Sequence, residues 1–431
     1  MKKIYTLLAF AAILSVAGCK KADVSVQTPD DETDDRVPVL FSLGQPSYDV
    51  SVKSVGGVDA WDGHELYIFG YPTDAADYSE NNAFIYNVKG TTLGTEEVGY
   101  NATTQTLEVT HEVTYDDGQG PQTAEEPFFY NADNTTYDFY GYYVDDAVIS
   151  DNLDEEGNPI PVIVTEATAD TPQGDGTTLG EGVYIPFTID GSQDLMTALA
   201  DKTSDILNAN PSGSVKESQA YSAYAARRSV QPNLMFQHQL TRFKFEIKSG
   251  SLSGNSVKVN SISLKSPAKG YLCVVGENQG ITIAADDTPD QMTLMQKNAD
   301  GTCGTLQPAT PATYTDASTS VTATPVGESI MVIPEQESYE LTIQTSMDGI
   351  HTPINPQTYT LTPAMVDTDG QGTQASAFEA GKEYIITLTV YGLEQVIPTV
   401  TLGEWTPGGS VDIDPDDQFG QTETPEPEPG A

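Results

Sequence analysis

The sequence predicts an all-β protein built from β-sandwiches, with few short helices. Three observations carry that prediction. From Val37 onward apolar residues recur at every second position, the period of a strand with one buried face. Runs with helical spacing are scarce. The apolar runs are short and are separated by Gly, Pro, Asn and Asp, for which 37 glycines and 27 prolines supply the punctuation. With 431 residues the chain has room for two large β domains.

Residues 1–19 read as a lipoprotein signal peptide. Lys2 and Lys3 form a charged start, and residues 7–16 are an apolar run too short to span a bilayer. The run ends in Ser15-Val16-Ala17-Gly18-Cys19, which matches a lipobox with Cys19 as the acylated residue. Acyl chains would anchor the chain by burying CH₂ groups at ~0.8 kcal/mol each. No later apolar run reaches spanning length. Residues 20–36 are polar and acidic, with Asp30, Asp31, Glu32, Asp34 and Asp35, and read as a solvated tether.

An N-terminal sandwich is expected over 37–207. Its first strand alternates Val37, Val39, Phe41 and Leu43. Leu107, Val109, His111, Val113 and Tyr115 alternate against polar residues and read as one half-buried strand. Further strands are expected at 65–71, 84–88, 137–144, 161–165 and 183–189. The best helical candidate is 193–208, with Leu195, Met196, Leu199, Ile206 and Leu207, and Ser192 as its cap. Residues 208–232 are poor in apolar residues and hold Pro211, Gly213 and the pair Arg227-Arg228, which reads as an exposed linker.

A second sandwich is expected over 233–413. Leu234, Phe236, His238 and Leu240 share one parity, and Phe243, Phe245 and Ile247 the other. A β-bulge between them accounts for the switch. Strands follow at 257–264, 271–275, 281–284, 330–333, 339–345, 358–361, 384–391 and 395–402. After Trp405 the chain turns polar, and 414–431, with Pro425-Glu426-Pro427-Glu428-Pro429, is expected as an extended solvated tail.

Charge excludes whole classes of partner. Against 63 acids stand 19 bases, a formal net charge of −44. Such a surface repels phosphate backbones, so no nucleic-acid partner is expected. No Gly-x-Ser-x-Gly elbow, Walker loop or His-Glu-x-x-His occurs, so no enzyme activity, cofactor or metal is expected. His111 and His238 sit on apolar strand faces and read as core or rim residues. Cys273, in an apolar strand pattern, reads as a buried thiol, and a bridge to Cys303 is permitted but not implied. The acidic runs 151–158, 367–370 and 412–417 lack the spacing of a calcium loop. The aromatic run Tyr137, Phe139, Tyr140, Tyr142 and Tyr143 reads as core plus rim, with sugar stacking as the alternative.

Several stretches taken in order resemble the fimbrillin (Mfa-like) family, lipoprotein-derived subunits of type V pili. They are the lipobox at Cys19, the acidic tether ending at Arg36, and Trp61-Asp62-Gly63-His64 leading into Glu65-Leu66-Tyr67-Ile68-Phe69. The aromatic strand 137–144, Asp194-Leu195-Met196, Phe236-x-His238-x-Leu240, Ile333-Pro334-Glu335-Gln336, Gly381-Lys382-Glu383-Tyr384 and Trp405 complete the set. The resemblance implies two transthyretin-like, Greek-key β-sandwich domains in tandem. It implies a lipid anchor in the outer membrane, cleavage after Arg36, and polymerisation by strand exchange at a groove lined by Val37, Val39, Phe41 and Leu43. Its implied partners are other pilus subunits, with a host protein or glycan as a further one. It implies neither catalysis nor a cofactor. After Trp405 only Val411 and Ile413 alternate before the prolines, which lack the N–H a ladder needs, so a tip or accessory role stands beside a stalk role. The alternative function is a monomeric glycan-binding surface lipoprotein of a nutrient-uptake system.

Overall fold

A computed structural model of the chain describes residues 36–44, 65–92, 105–116, 121–145, 147–148, 152–166, 174, 178–277, 279–298, 302–316, 320–347, 356–367 and 374–403. Cys19, the Trp61–His64 element, Trp405 and the tail lie outside the described residues. Among the described residues strands dominate, with two α-helices, Lys202–Ala209 and Ala223–Ala226. The described residues from Val37 to Gly403 belong to one compact unit.

The first sheet is built around Glu65–Pro72 and Tyr137–Val144, paired antiparallel. Both strands are buried on both faces. Leu66, Ile68, Tyr137, Phe139 and Tyr143 point into one apolar cluster. Tyr67, Phe69, Tyr71, Tyr140 and Tyr142 point into another. A strand buried on both faces tends toward a continuous apolar run rather than alternation, and Tyr137–Val144 is one broken only by Asp138, which pairs with Lys202.

The sheet runs in the order Asn233–Met235, Phe41–Gly44, Gln105–Glu108, Ile85–Thr92, Glu65–Pro72, Tyr137–Val144, Leu195–Leu199, Gln237–His238. Its two ends are consecutive pieces of one stretch, and Leu234 bridges to Ala200 just past Leu195–Leu199. The sheet therefore curls until its ends meet. The seam is mixed: Phe41–Gly44 runs parallel to Asn233–Met235 and antiparallel to Gln105–Glu108.

A four-stranded sheet of Gly280–Ile283, Lys269–Val275, Gly182–Thr188 and Val162–Val164 adds Leu272, Val274, Val183, Ile185 and Phe187 to the Tyr67 cluster. Strands from both sides of 208–232 thus share one sheet. Two further sheets form a sandwich. The five-stranded one centres on Thr241–Ser249 and Glu383–Gly392, the four-stranded one on Val257–Ser266 and Tyr339–Met347. Their alternate residues Phe243, Phe245, Ile386, Leu388, Val259, Ile262, Leu341 and Ile343 meet in one core.

Four expectations need correction. The helix expected at 193–208 starts only at Lys202, and its cap is Asp201, whose carboxylate takes the Thr203 and Ser204 N–H groups. Leu195–Leu199 before it is a strand with Leu195 buried on one face and Met196 and Ala198 on the other. The run 107–115 is two strands in different sheets, Gln105–Glu108 and Thr110–Asp116, the latter in a hairpin with Pro121–Pro127. The parity switch between Leu240 and Phe243 comes from a change of sheet, not from a bulge. Finally, 208–232 is not an exposed linker. It carries Ala223–Ala226 and buries Val215, Ala220, Tyr221, Ala223, Ala225 and Val230 in the Phe139 cluster.

Candidate assembly site at the N-terminal strand

Arg36 is exposed and stands immediately before the folded unit. Behind it the alternation seen in the sequence acts as expected. Val39, Phe41 and Leu43 are buried, with relative exposures of 3%, 1% and 2%, while Leu40 points outward at 46%. Val37 packs against the same cluster from its margin.

The backbone of 37–44 is held along both edges. On one side the Val39 N–H donates to the Phe128 carbonyl at 2.8 Å, and the Tyr130 N–H to the Val37 carbonyl at 2.9 Å. On the other side the Ser42 N–H donates to the Pro232 carbonyl at 3.1 Å. The Leu40 N–H donates to Gln231 Oε1 at 3.3 Å, and Gln231 Nε2 donates to the Pro38 carbonyl at 3.1 Å. The Tyr130 hydroxyl also donates to Gln231 Oε1 at 3.3 Å.

Aromatic rings fill the space beneath. Phe41 meets Phe139 edge to face, centroids 5.2 Å apart at 88°. Phe139 in turn touches Phe84, Tyr130, Tyr137 and Tyr221. Gly141 makes this layer possible. A Cβ there would lie 2.7 Å from the Phe236 ring, so any other residue would push Phe236 away.

A polar junction lies next to this core. Asp205, on the helix Lys202–Ala209, accepts the Tyr221 hydroxyl and the Asn233 N–H on the same oxygen, the latter at 3.0 Å. Burial pushes the Asp205 carboxyl up to about 6, although both hydrogen bonds act in the opposite direction. Burial, and then the charge of Asp205, push the Tyr221 hydroxyl far above its usual range. Tyr221 holds a left-handed backbone, φ 51°, and its carbonyl takes the Tyr137 N–H at 3.2 Å.

The structure thus places Val37, Val39, Phe41 and Leu43 along one extended segment over one core, with only Phe41–Gly44 of it paired as a strand and Val37 at the core's margin. It does not leave an open groove beside them, because 41–44 has a partner strand on each side. Gln231, Asp205, Tyr221 and Asn233 were missed. They are single polar residues at no regular spacing, and only the fold brings Asn233 to Ser42.

The other singled-out residues have structural surroundings. His111 stacks on Phe128 with centroids 4.4 Å apart. His238 Nδ1 sits 2.8 Å from Asp194 Oδ2, both side chains fully buried. Cys273 is buried and Cys303 exposed, both as free thiols, and burial pushes the Cys273 thiol up to about 11. Asp154 turns its carboxylate onto its own loop, accepting from the Glu156 and Asn158 N–H groups and from the Asn158 side-chain amide. The aromatics of 137–143 are buried, so their faces are not available for stacking on a sugar.

The chain belongs to the fimbrillin-like family, whose profile matches residues 75–405. By family it is a pilus-related subunit. No curated protein matches it. Solved structures with similarity include an inferred cell adhesion protein from Bacteroides uniformis, at 16% identity and a TM-score of 0.43, covering 87% of this chain and 100% of that one. The tip fimbrial protein Mfa3 from Porphyromonas gingivalis, truncated at its C-terminus, shows 8% identity and a TM-score of 0.33 over 85% of this chain and 99% of that one. The fimbrial anchor protein Mfa2 from the same organism shows 10% identity and a TM-score of 0.28, with coverages of 86% and 99%.

Proposed function

We propose that the chain is a surface-exposed lipoprotein subunit of a type V pilus, structural or at the tip, that supports adhesion. Cys19 carries the lipid that holds it to the outer membrane. Cleavage after Arg36 then frees it to join other pilus subunits by strand exchange. It has no catalytic role and takes no cofactor.

One observation supports this reading most. An exposed arginine stands at the border of the folded unit, and the extended segment behind it buries Val39, Phe41 and Leu43 in alternation. A cut there separates the first 36 residues without removing a single buried side chain of that segment. Because both edges of 41–44 are occupied, assembly at this strand takes exchange rather than addition: a neighbour's segment replaces a flanking one. The incoming segment regains main-chain bonds at ~1 kcal/mol net each. It places alternate side chains in pockets at ~1.5–3 kcal/mol each, so pocket filling dominates.

The test treats purified precursor with an arginine-specific protease and reads unboiled gels for laddered oligomers. Wild type should ladder in the presence of its pilus partners, and Arg36→Ala should stay monomeric and folded. Equal incorporation of Arg36→Ala into filaments would overturn the processing mechanism. Cut wild type that stays monomeric with all its partners would overturn the pilus reading.

A further inference from the structure

We propose that Gln231 is a positioning residue for the cut after Arg36: its side-chain amide takes the place of a strand beside 38–40 and sets how often the cleavage segment opens. The inference rests on the processing reading above. On the edge facing Gln231, the segment 38–40 offers the Pro38 carbonyl and the Leu40 N–H. Proline has no N–H of its own to offer. The single amide of Gln231 answers both groups, at 3.1 and 3.3 Å, and receives the Tyr130 hydroxyl as well. Two residues further on the true parallel pairing begins at Ser42. One side chain therefore ties together 37–44, 128–130 and 231–235.

A protease holds its substrate extended, through the same backbone groups that a strand partner would use. The residues following Arg36 have those groups already engaged, by Phe128 and Tyr130 on one edge and Gln231 on the other. Cleavage must wait until 37–40 peels away, and its rate follows the peeled population when reclosing is fast. Peeling as far as Leu40 uncovers only one fully buried side chain, Val39, since Val37 and Pro38 are half-buried and Leu40 is 46% exposed. The polar contacts of Gln231 are therefore a large part of what keeps this segment shut.

The experiment measures the initial rate at which limiting arginine-specific protease produces the fragment beginning at Val37, by mass spectrometry, from the folded full chain. Losing two hydrogen bonds in Gln231→Ala should speed this about tenfold. Gln231→Glu keeps the acceptor but loses the donor, and should speed it about threefold. The control is Gln279→Ala, which removes an amide that bonds the Ala198 and Val274 carbonyls elsewhere, at 3.1 and 2.8 Å. It should leave the rate unchanged. A wild-type rate in Gln231→Ala, or an equal acceleration in Gln279→Ala, overturns the proposal. These rates are read without any assembly. If Arg36→Ala assembles normally, the processing reading fails, while the effect of Gln231 on cleavage is judged on its own data.

Discussion

Asp205 accepts the backbone N–H of Asn233 at 3.0 Å, so a helix carboxylate holds the strand that flanks the N-terminal segment. Asn233 is in register with Ser42, and the two side chains are hydrogen bonded at 3.2 Å. The ionisation of one buried acid therefore bears directly on the seam of the curled sheet.

Asp205 should give stability a pH dependence of unusual sign. Its folded carboxyl titrates at about 6, above the ordinary value of 3.8, because burial disfavours the charge. The native state thus holds its proton more tightly than the unfolded chain does. The stabilisation is complete below the unfolded value and fades as pH rises through about 6. The stability difference between wild type and Asp205→Asn should shift against wild type by about 2–3 kcal/mol between pH 4 and pH 7. Urea unfolding of both proteins at the two pH values checks this; a difference that does not change with pH would exclude it.

Phe41→Ala should destabilise the folded chain by about 3–5 kcal/mol, because it empties a closed site and removes the edge-to-face contact with Phe139. Leu40→Ala, one residue away but outward-facing, should change stability by less than about 0.5 kcal/mol. Denaturant midpoints of the two variants report the contrast. Similar values would mean that Phe41 is not packed as described.

The buried pair Arg242–Glu383 should show non-additivity. Arg242 Nε and Nη2 lie 2.8 and 2.7 Å from Glu383 Oε2, and Lys244 Nζ lies at 3.1 Å. Arg242→Met should cost about 1–3 kcal/mol, since it removes two charge-assisted hydrogen bonds and leaves the buried carboxylate with Lys244 as its cation. Adding Glu383→Leu should recover most of that loss, because no charge is then left inside. A double variant as unstable as the single one would refute this account.

The two thiols in the folded unit should differ sharply. Cys303 is exposed, while Cys273 is buried with its thiol pushed up to about 11. At pH 8 a maleimide should label Cys303 within minutes and Cys273 only after unfolding. Equal rates in the native protein would show that the pocket around Cys273 opens freely.

Much of this fold could be read from the sequence, and the failures have common causes. Strands with one wet face, such as Tyr339–Met347, show the period of two and were located to within two residues. Leu195–Leu199 was misread because both its faces are buried, and a short continuous apolar run looks the same in a strand and a helix. The split at Val109 was invisible because alternation continues across a change of sheet. Between 208 and 232 composition misled: small Ala220, Ala223 and Ala225 are buried as fully as Tyr221, yet they give no hydrophobic signal. At the site, the alternate burial of Val39, Phe41 and Leu43 was legible, although the paired strand starts only at Phe41. Gln231 was not, because its role depends on a partner far away in the sequence.

That separation has a consequence for how the molecule comes into being. Ser42 and Asn233 are 191 positions apart. A chain synthesised at ~5–20 residues per second carries its first strand unpaired along this edge for about 10–40 s. Closing so long a loop is also slow on entropic grounds. The N-terminal strand therefore waits longer for this partner than Thr241–Ser249 waits for Glu383–Gly392, 141 positions away, and while it waits it is the part most in need of an escort.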